Sequence, residues 1–151
     1  MKPSLREQAL RCLARREHTR VELARKLSPQ AEEPEALEAL LDDLTERGLL
    51  SDQRYAEMRV NARSARLGNA RLAHELRTQG VSGELVADTL AAKEAECPEL
   101  SRAQQIWQRK FKTLPAAAEH KERARQMRFL MSRGFSSATI RQVLQGNFED
   151  E

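Results

Sequence analysis

ARLAHELRTQGVSGELVADTL (residues 70–90) and ARQMRFLMSRGFSSATIRQVL (residues 124–144) fall on one another at a shift of 54 positions. Leu76 meets Leu130, Gly80 meets Gly134, Val81 meets Phe135, Ser82 meets Ser136, Val86 meets Ile140 and Leu90 meets Leu144. The shared rule is physical. A helix ends at a glycine that can turn left-handed, a hydrophobe packs back on that helix, and a serine caps the next one. Self-similarity of this kind is the mark of a tandem array. The first third, RVELARKL (20–27) then EALEALLDDL (35–44), follows the same two-helix plan with a longer linker.

Working outward, the punctuation predicts nine helices. The first spans Ser4 to Arg16, with Leu5, Ala9, Cys12 and Leu13 at helical spacing. The second starts at Thr19, where Thr19 and Glu22 form a capping box, and ends near Leu27, before Pro29. SPQAEEP (28–34) is a linker, and Pro34 suits the first turn of a third helix. Leu37, Leu40, Leu41 and Leu44 form that helix's buried stripe, and Gly48 caps it. A fourth helix runs from Ser51 to about Leu67 and is broken by Gly68; a fifth runs from Asn69 to Gly80, and a sixth from Ser82 to about Lys93. The seventh follows Ser101 and ends before Pro115, the eighth covers about Ala116 to Arg133, and the ninth starts at Ser136 and ends near Gly146. The final NFEDE is expected to fray.

Ala, Leu, Glu, Arg and Gln dominate the 151 residues, aromatics are 4%, and β-branched residues never alternate over a strand's length. The fold class is therefore all-α. So many short helices suit three tandem three-helix repeats, helix-turn-helix-like bundles at residues 1–50, 51–96 and 97–151, forming an elongated, curved right-to-left row. The net charge of +3 is unevenly spread: residues 102–133 hold nine Lys/Arg against two Asp/Glu, whereas residues 80–101 hold one against five. That concentration suits a polyanion or an acidic protein partner. The two cysteines, Cys12 and Cys97, form no C-x-x-C and no disulfide framework, which suits a reducing cytoplasm. The opening MKPSLREQAL has no apolar signal core, and no window reaches membrane-spanning length, so no membrane association is expected.

Three segments resemble the RecX family. GLLSDQRYA (48–56) followed by RLGNARLAHELRTQGV (66–81) is similar to its central signature, and RKF (109–111) with RQMRFLMSRGFSSATIRQVL (125–144) to its C-terminal one. ALRCLARREHTRVELARKL (9–27) and LLDDLTERGLL (40–50) match the family's opening. The likeness covers about Leu5 to Leu144 in order and in register. It implies a fold of three tandem three-helix repeats. It also implies a regulator of the RecA recombinase that binds RecA nucleoprotein filaments. Such a regulator modulates, mainly by inhibition, the recombinase, ATPase and co-protease activities, in DNA repair, recombination and the SOS response.

Candidate partner-binding residues follow from helix faces and charge. Tyr55, Arg59, Ala62 and Arg66 share one face of the fourth helix, away from the expected core residues Ala56, Val60 and Leu67. An aromatic flanked by arginines can meet a protein groove or nucleic acid, or Tyr55 can pack between repeats. Arg63 lies near the apolar stripe, where it snorkels or pairs with Asp52 or another carboxylate. In the seventh helix Ala103, Ile106, Trp107, Phe111 and Leu114 are expected inside, with Arg102, Arg109 and Lys112 outside. In the eighth, Ala124, Met127, Leu130 and Met131 are expected inside, with Arg125, Arg128 and Arg133 outside. With Arg71 and Lys110, these cations make a basic strip for RecA or DNA.

Catalysis finds no support. His18, His74 and His120 are isolated, no Gly-rich phosphate loop is present, and no nucleophile has a recognisable base. The expectation is a non-enzymatic monomer without cofactor or metal. The alternative is a sequence-independent DNA-binding helical module, because three-helix bundles with glycine turns resemble DNA-binding units. Against base reading, the sixth helix opens SGELVAD and the ninth SSATIRQ, so only weak single- or double-stranded DNA affinity is expected.

Overall fold

Short polar side chains start five of the helices, and left-handed glycines follow the ends of four. The computed structural model describes residues 2–116 and 118–146. Among these are nine α-helices and no strand: α1 (Leu5–Arg15), α2 (Arg20–Leu27), α3 (Pro34–Glu46), α4 (Asp52–Arg63), α5 (Asn69–Thr78), α6 (Gly83–Glu96), α7 (Glu99–Lys110), α8 (His120–Ser132) and α9 (Ser137–Gln145). A 3-10 turn, Ser28–Gln30, joins α2 to α3. Ser4, Thr19, Ser51, Ser82 and Ser136 each accept a backbone N–H three residues on, and Thr19 with Glu22 completes the capping box. Each such cap contributes about 1 kcal/mol.

The glycine turns repeat one hydrogen-bond pattern. Gly80 N–H donates to Arg77 O (2.9 Å) and Val81 N–H to Leu76 O (3.1 Å); Gly134 N–H donates to Met131 O (3.0 Å) and Phe135 N–H to Leu130 O (3.3 Å). Gly48 and Leu49 do the same on Thr45 O and Leu44 O after α3. These paired bonds need a left-handed residue, and Gly48, Gly80 and Gly134 have φ of 74°, 85° and 88°. The hydrophobe that follows is buried at Val81 and Phe135, whereas Leu49 is 44% exposed and Leu50 is buried in its place.

Several helix ends differ from expectation. α4 stops at Arg63, short of Leu67, and the carbonyls of Ser64 and Leu67 just beyond it accept from a side chain of α7 (below). α6 runs on to Glu96. α7 begins at Glu99 rather than after Ser101, since Pro98 carries the extended backbone of an N-cap (φ −55°, ψ 148°). It ends at Lys110, where Lys112 turns left-handed at φ 65°. α8 begins at His120, not Ala116. NFEDE lies outside the described residues.

The chain divides into two compact units, Met1–Arg59 with Leu76–Val86, and Val60–Glu75 with Ala87–Glu151. In the first, Ala9, Leu23, Leu27, Leu37, Leu41, Leu44 and Leu50 form the core, which includes most of the expected α3 stripe; Leu40 is half-buried against it. His18, only 2% exposed, is held there between Arg16 O at Nδ1 (3.0 Å) and Lys26 Nζ at Nε2 (2.9 Å). Burial pushes its pKa down, which fits a neutral ring whose Nδ1–H donates to the carbonyl and whose Nε2 accepts from the ammonium. In the second unit Ala103, Ile106, Trp107, Leu130, Phe135, Ile140, Val143 and Leu144 form the core. No helix among the described residues is long and apolar enough to cross a membrane.

Candidate functional site

The second unit gathers cations around two phenylalanines. Phe111 and Phe129, half-buried against the core, meet edge to face with centroids 5.4 Å apart. Lys110 Nζ sits 4.8 Å from the centre of the Phe129 ring and the Arg133 guanidinium 5.2 Å from it. Arg125 lies 5.0 Å from the centre of Phe111. Such contacts hold a cation by the ring's quadrupole and keep its remaining donors pointed outward. Ala65, Arg66, Ile106, Arg109, Lys110, Phe129 and Arg133 line a groove of about 220 Å³. Its floor is apolar and its rim carries four cations. Among the described residues, none of Arg66, Arg109, Lys110 and Arg133 has a carboxylate within ion-pair distance.

The loop that carries Arg66 is docked on the turn that carries Arg133. Gly68 N–H donates to Arg133 O (2.7 Å) and Ala70 N–H to Gly134 O (3.2 Å). The two glycines approach so closely that a Cβ on Gly68 would collide with the Gly134 carbonyl. Arg71 lies across the same joint and donates from its guanidinium to Ser132 O at 3.3 Å.

Of the sequence-expected residues, this groove brings together Arg66, Arg109, Lys110 and Arg133. Arg71 is exposed beside it. Arg125 is exposed but neutralised by Glu122, which it meets bidentately at 2.8 and 2.9 Å. That contact holds the Glu122 carboxylate down at a pKa of about 2 and raises that of Arg125. Arg128 and Lys112 line separate grooves, the first with His120 and Arg125 along α8, the second with Trp107 and Leu114. Arg63 pairs with Glu75 at 2.9 Å, not with Asp52. Arg59 is half-buried and belongs to the first unit.

Three side-chain placements are corrected. Tyr55 is 3% exposed, a core residue beside Ala56 rather than part of a contact face, because its bulk is buried with the α4 stripe. Arg102 is 3% exposed, not outward, because its guanidinium finds backbone carbonyls inside the unit. Met131 is 60% exposed, and Gln126 takes an inner place on α8, where its Oε1 accepts from Trp107 Nε1 at 2.7 Å. Trp107 itself is core, as its spacing suggested. Sequence reasoning missed Phe129, Glu99 and Gln126; an aromatic inside a run of arginines was the available signal for the first. Among the described residues no group of three or more His, Cys, Asp or Glu could hold a metal.

Residues 51–90 match the model for the second three-helix domain of RecX, and residues 98–144 match that for the third. The regulatory protein RecX of Leptothrix cholodnii is 50% identical over 141 residues, 93% of this chain and 87% of that protein. The chain belongs to the RecX family. RecX from Herbaspirillum seropedicae is 48% identical over 151 residues, covering 98% of this chain and 94% of its own. The crystal structure of RecX from Lactobacillus salivarius shares the fold, with a TM-score of 0.80 at 18% identity over 94% of this chain and 93% of that one. The RecX relatives are regulatory proteins by name, and the all-helical repeat fold expected from residues 70–90 and 124–144 is the fold of this family.

Proposed function

We propose that this chain binds the nucleoprotein filament of a RecA-type recombinase and modulates it, mainly by inhibition, so that recombinase, ATPase and co-protease activities fall. Membership of the RecX family supports a regulator. The observation that carries the partner reading is the groove of Arg66, Arg109, Lys110 and Arg133, whose four charges have no carboxylate of their own among the described residues. A like-charged cluster left unneutralised opposes folding, so an anionic partner surface is what it suits. The remaining candidate cations of the second unit with no ion pair among the described residues, Arg71, Lys112 and Arg128, widen the basic surface, whereas Arg125 and Arg63 are ion-paired with Glu122 and Glu75.

The action is binding rather than catalysis, by a cytoplasmic monomer built as three helical repeats, at 1–50, 51–96 and 97–151. Contact across neighbouring filament subunits would hinder nucleotide turnover. The second reading, sequence-independent DNA binding, is favoured by the same cations, since phosphates satisfy arginine equally well. Sedimentation with RecA separates the two. Capture only when RecA is assembled with nucleotide supports the filament reading. Equal capture by naked DNA, falling steeply with salt, supports the other.

A further inference from the structure

Two charged side chains in the first turn of α7 are buried, and each serves the ends of other helices. Glu99 is 8% exposed. Its Oε2 accepts from Asn69 N–H at 2.8 Å, at the start of α5. Its Oε1 accepts from Ser136 N–H at 3.3 Å and from the Thr139 hydroxyl at 2.9 Å, at the start of α9. One carboxylate thus sits on two helix N-termini, where the aligned peptide dipoles favour negative charge. Arg102, one turn on, is 3% exposed. It donates to Ser64 O (3.1 Å) and Leu67 O (2.8 Å), just past the end of α4, to Cys97 O (3.3 Å) and to Asn69 Oδ1. A guanidinium there favours the negative end of α4.

The consequence is geometric. Arg102 fixes the 64–69 segment, which contains Arg66. Glu99 joins the start of α5 to the start of α9, three residues after Arg133. Between these anchors Gly68 touches Gly134. Arg109 and Lys110 lie at the far end of α7, the helix that supplies both anchors. Apolar side chains could hold the same turns together without the desolvation cost of buried charge. A two-oxygen carboxylate adds a fixed register, because each oxygen addresses a different helix.

We propose that Glu99 and Arg102 are positioning residues of the basic groove: they lock the α4–α5 turn onto the α8–α9 turn so that Arg66 and Arg133 face one mouth with Arg109 and Lys110. The proposal rests on reading that groove as the partner site. Glu99→Gln is close to isosteric but offers one carbonyl oxygen, so it serves α5 or α9 and not both. The folded variant gives faster amide exchange at Asn69 or at Ser136. It binds RecA filaments about tenfold more weakly, the scale of one lost charge-assisted hydrogen bond.

The decisive comparison is a cycle with Arg66→Gln/Arg133→Gln. In that background Glu99→Gln has no further effect on binding, because the cations it positions are gone. An equal further loss in both backgrounds overturns the proposal, as does full binding by Glu99→Gln when Arg66→Gln/Arg133→Gln binds poorly. Full binding by Arg66→Gln/Arg133→Gln itself overturns the groove reading, a separate failure. Should Glu99→Gln fail to fold, Thr139→Val removes one of Glu99's three accepted bonds. It gives a smaller loss in the same direction, which must vanish in the same background.

Discussion

Replacing Gly134 by Ala tests whether the two turns of the second unit are docked as tightly as the contacts show, and Gly48→Ala is its control. Both glycines end a helix with the same pair of hydrogen bonds, and both have positive φ, 88° and 74°. Ala in the left-handed region costs about 1 kcal/mol at either place. The surroundings differ. A Cβ at Gly48 meets nothing within 4 Å, whereas at Gly134 it meets the backbone N of Arg71 at 2.7 Å and overlaps the Arg71 Cβ. Backbone cannot swing aside as a flexible side chain can, and overpacking of this kind costs a further ~1–3 kcal/mol. Gly134→Ala should therefore lose about 2–4 kcal/mol against about 1 for Gly48→Ala. Urea unfolding followed by far-UV circular dichroism gives both values. Trp107, the sole tryptophan and a core residue beside Gln126, reports fluorescence from the unit that holds Gly134. Equal losses at the two sites would refute the docking argument, because strain alone would then account for both.

Further outcomes follow from the same structure. His18 has its pKa lowered by burial, so its contribution is complete above the unfolded value of 6.5 and is lost as pH falls through the lower folded value. Urea midpoints should drop on acidification from about pH 7 to about pH 5, and His18→Gln should flatten that slope; an unchanged slope would show that the ring is not the titrating group. Phe129→Leu removes the ring that holds Lys110 and Arg133, at about 0.5–1 kcal/mol per contact, so filament capture should weaken by about 5- to 30-fold. Retained capture would make the ring a core residue only. If the groove meets phosphates, Arg66→Gln/Arg133→Gln should reduce the dependence of log K on log salt by about 2, and an unaltered slope would place phosphate contacts elsewhere.

The local rules were legible from sequence, and the long-range ones were not. Thr19 and Glu22 are three residues apart, and Gly134, Phe135 and Ser136 are consecutive, so capping chemistry is written in one stretch. The repeat at 54 residues followed from the same turns. Arg102 was read as outward because a helix wheel shows only its own neighbours; its partners Ser64, Leu67 and Asn69 lie 38, 35 and 33 positions away. Tyr55 looked amphipathic enough for a contact face, yet its ring is better buried than wet. Met131, expected inside, is exposed, and Gln126, for which no side was read, is buried on α8, where Trp107 Nε1–H, inside the core, takes its oxygen as an acceptor. Of the eleven candidate residues, the groove collects four because three adjoining segments meet there: the end of α4, the end of α7 and the end of α8. The charge run in residues 102–133 pointed to the region, and only packing separated neutralised Arg125 from Arg133.

ATP hydrolysis by RecA on single-stranded DNA, measured while this chain is titrated from far below one molecule per RecA subunit, tests the central claim most directly. The account predicts suppression well below equal amounts. It also predicts that the suppression is lost when Arg66, Arg109, Lys110 and Arg133 are changed together to Glu in a variant that keeps its helical content. Hydrolysis unchanged up to an excess of the wild-type chain, with DNA binding intact, would contradict it.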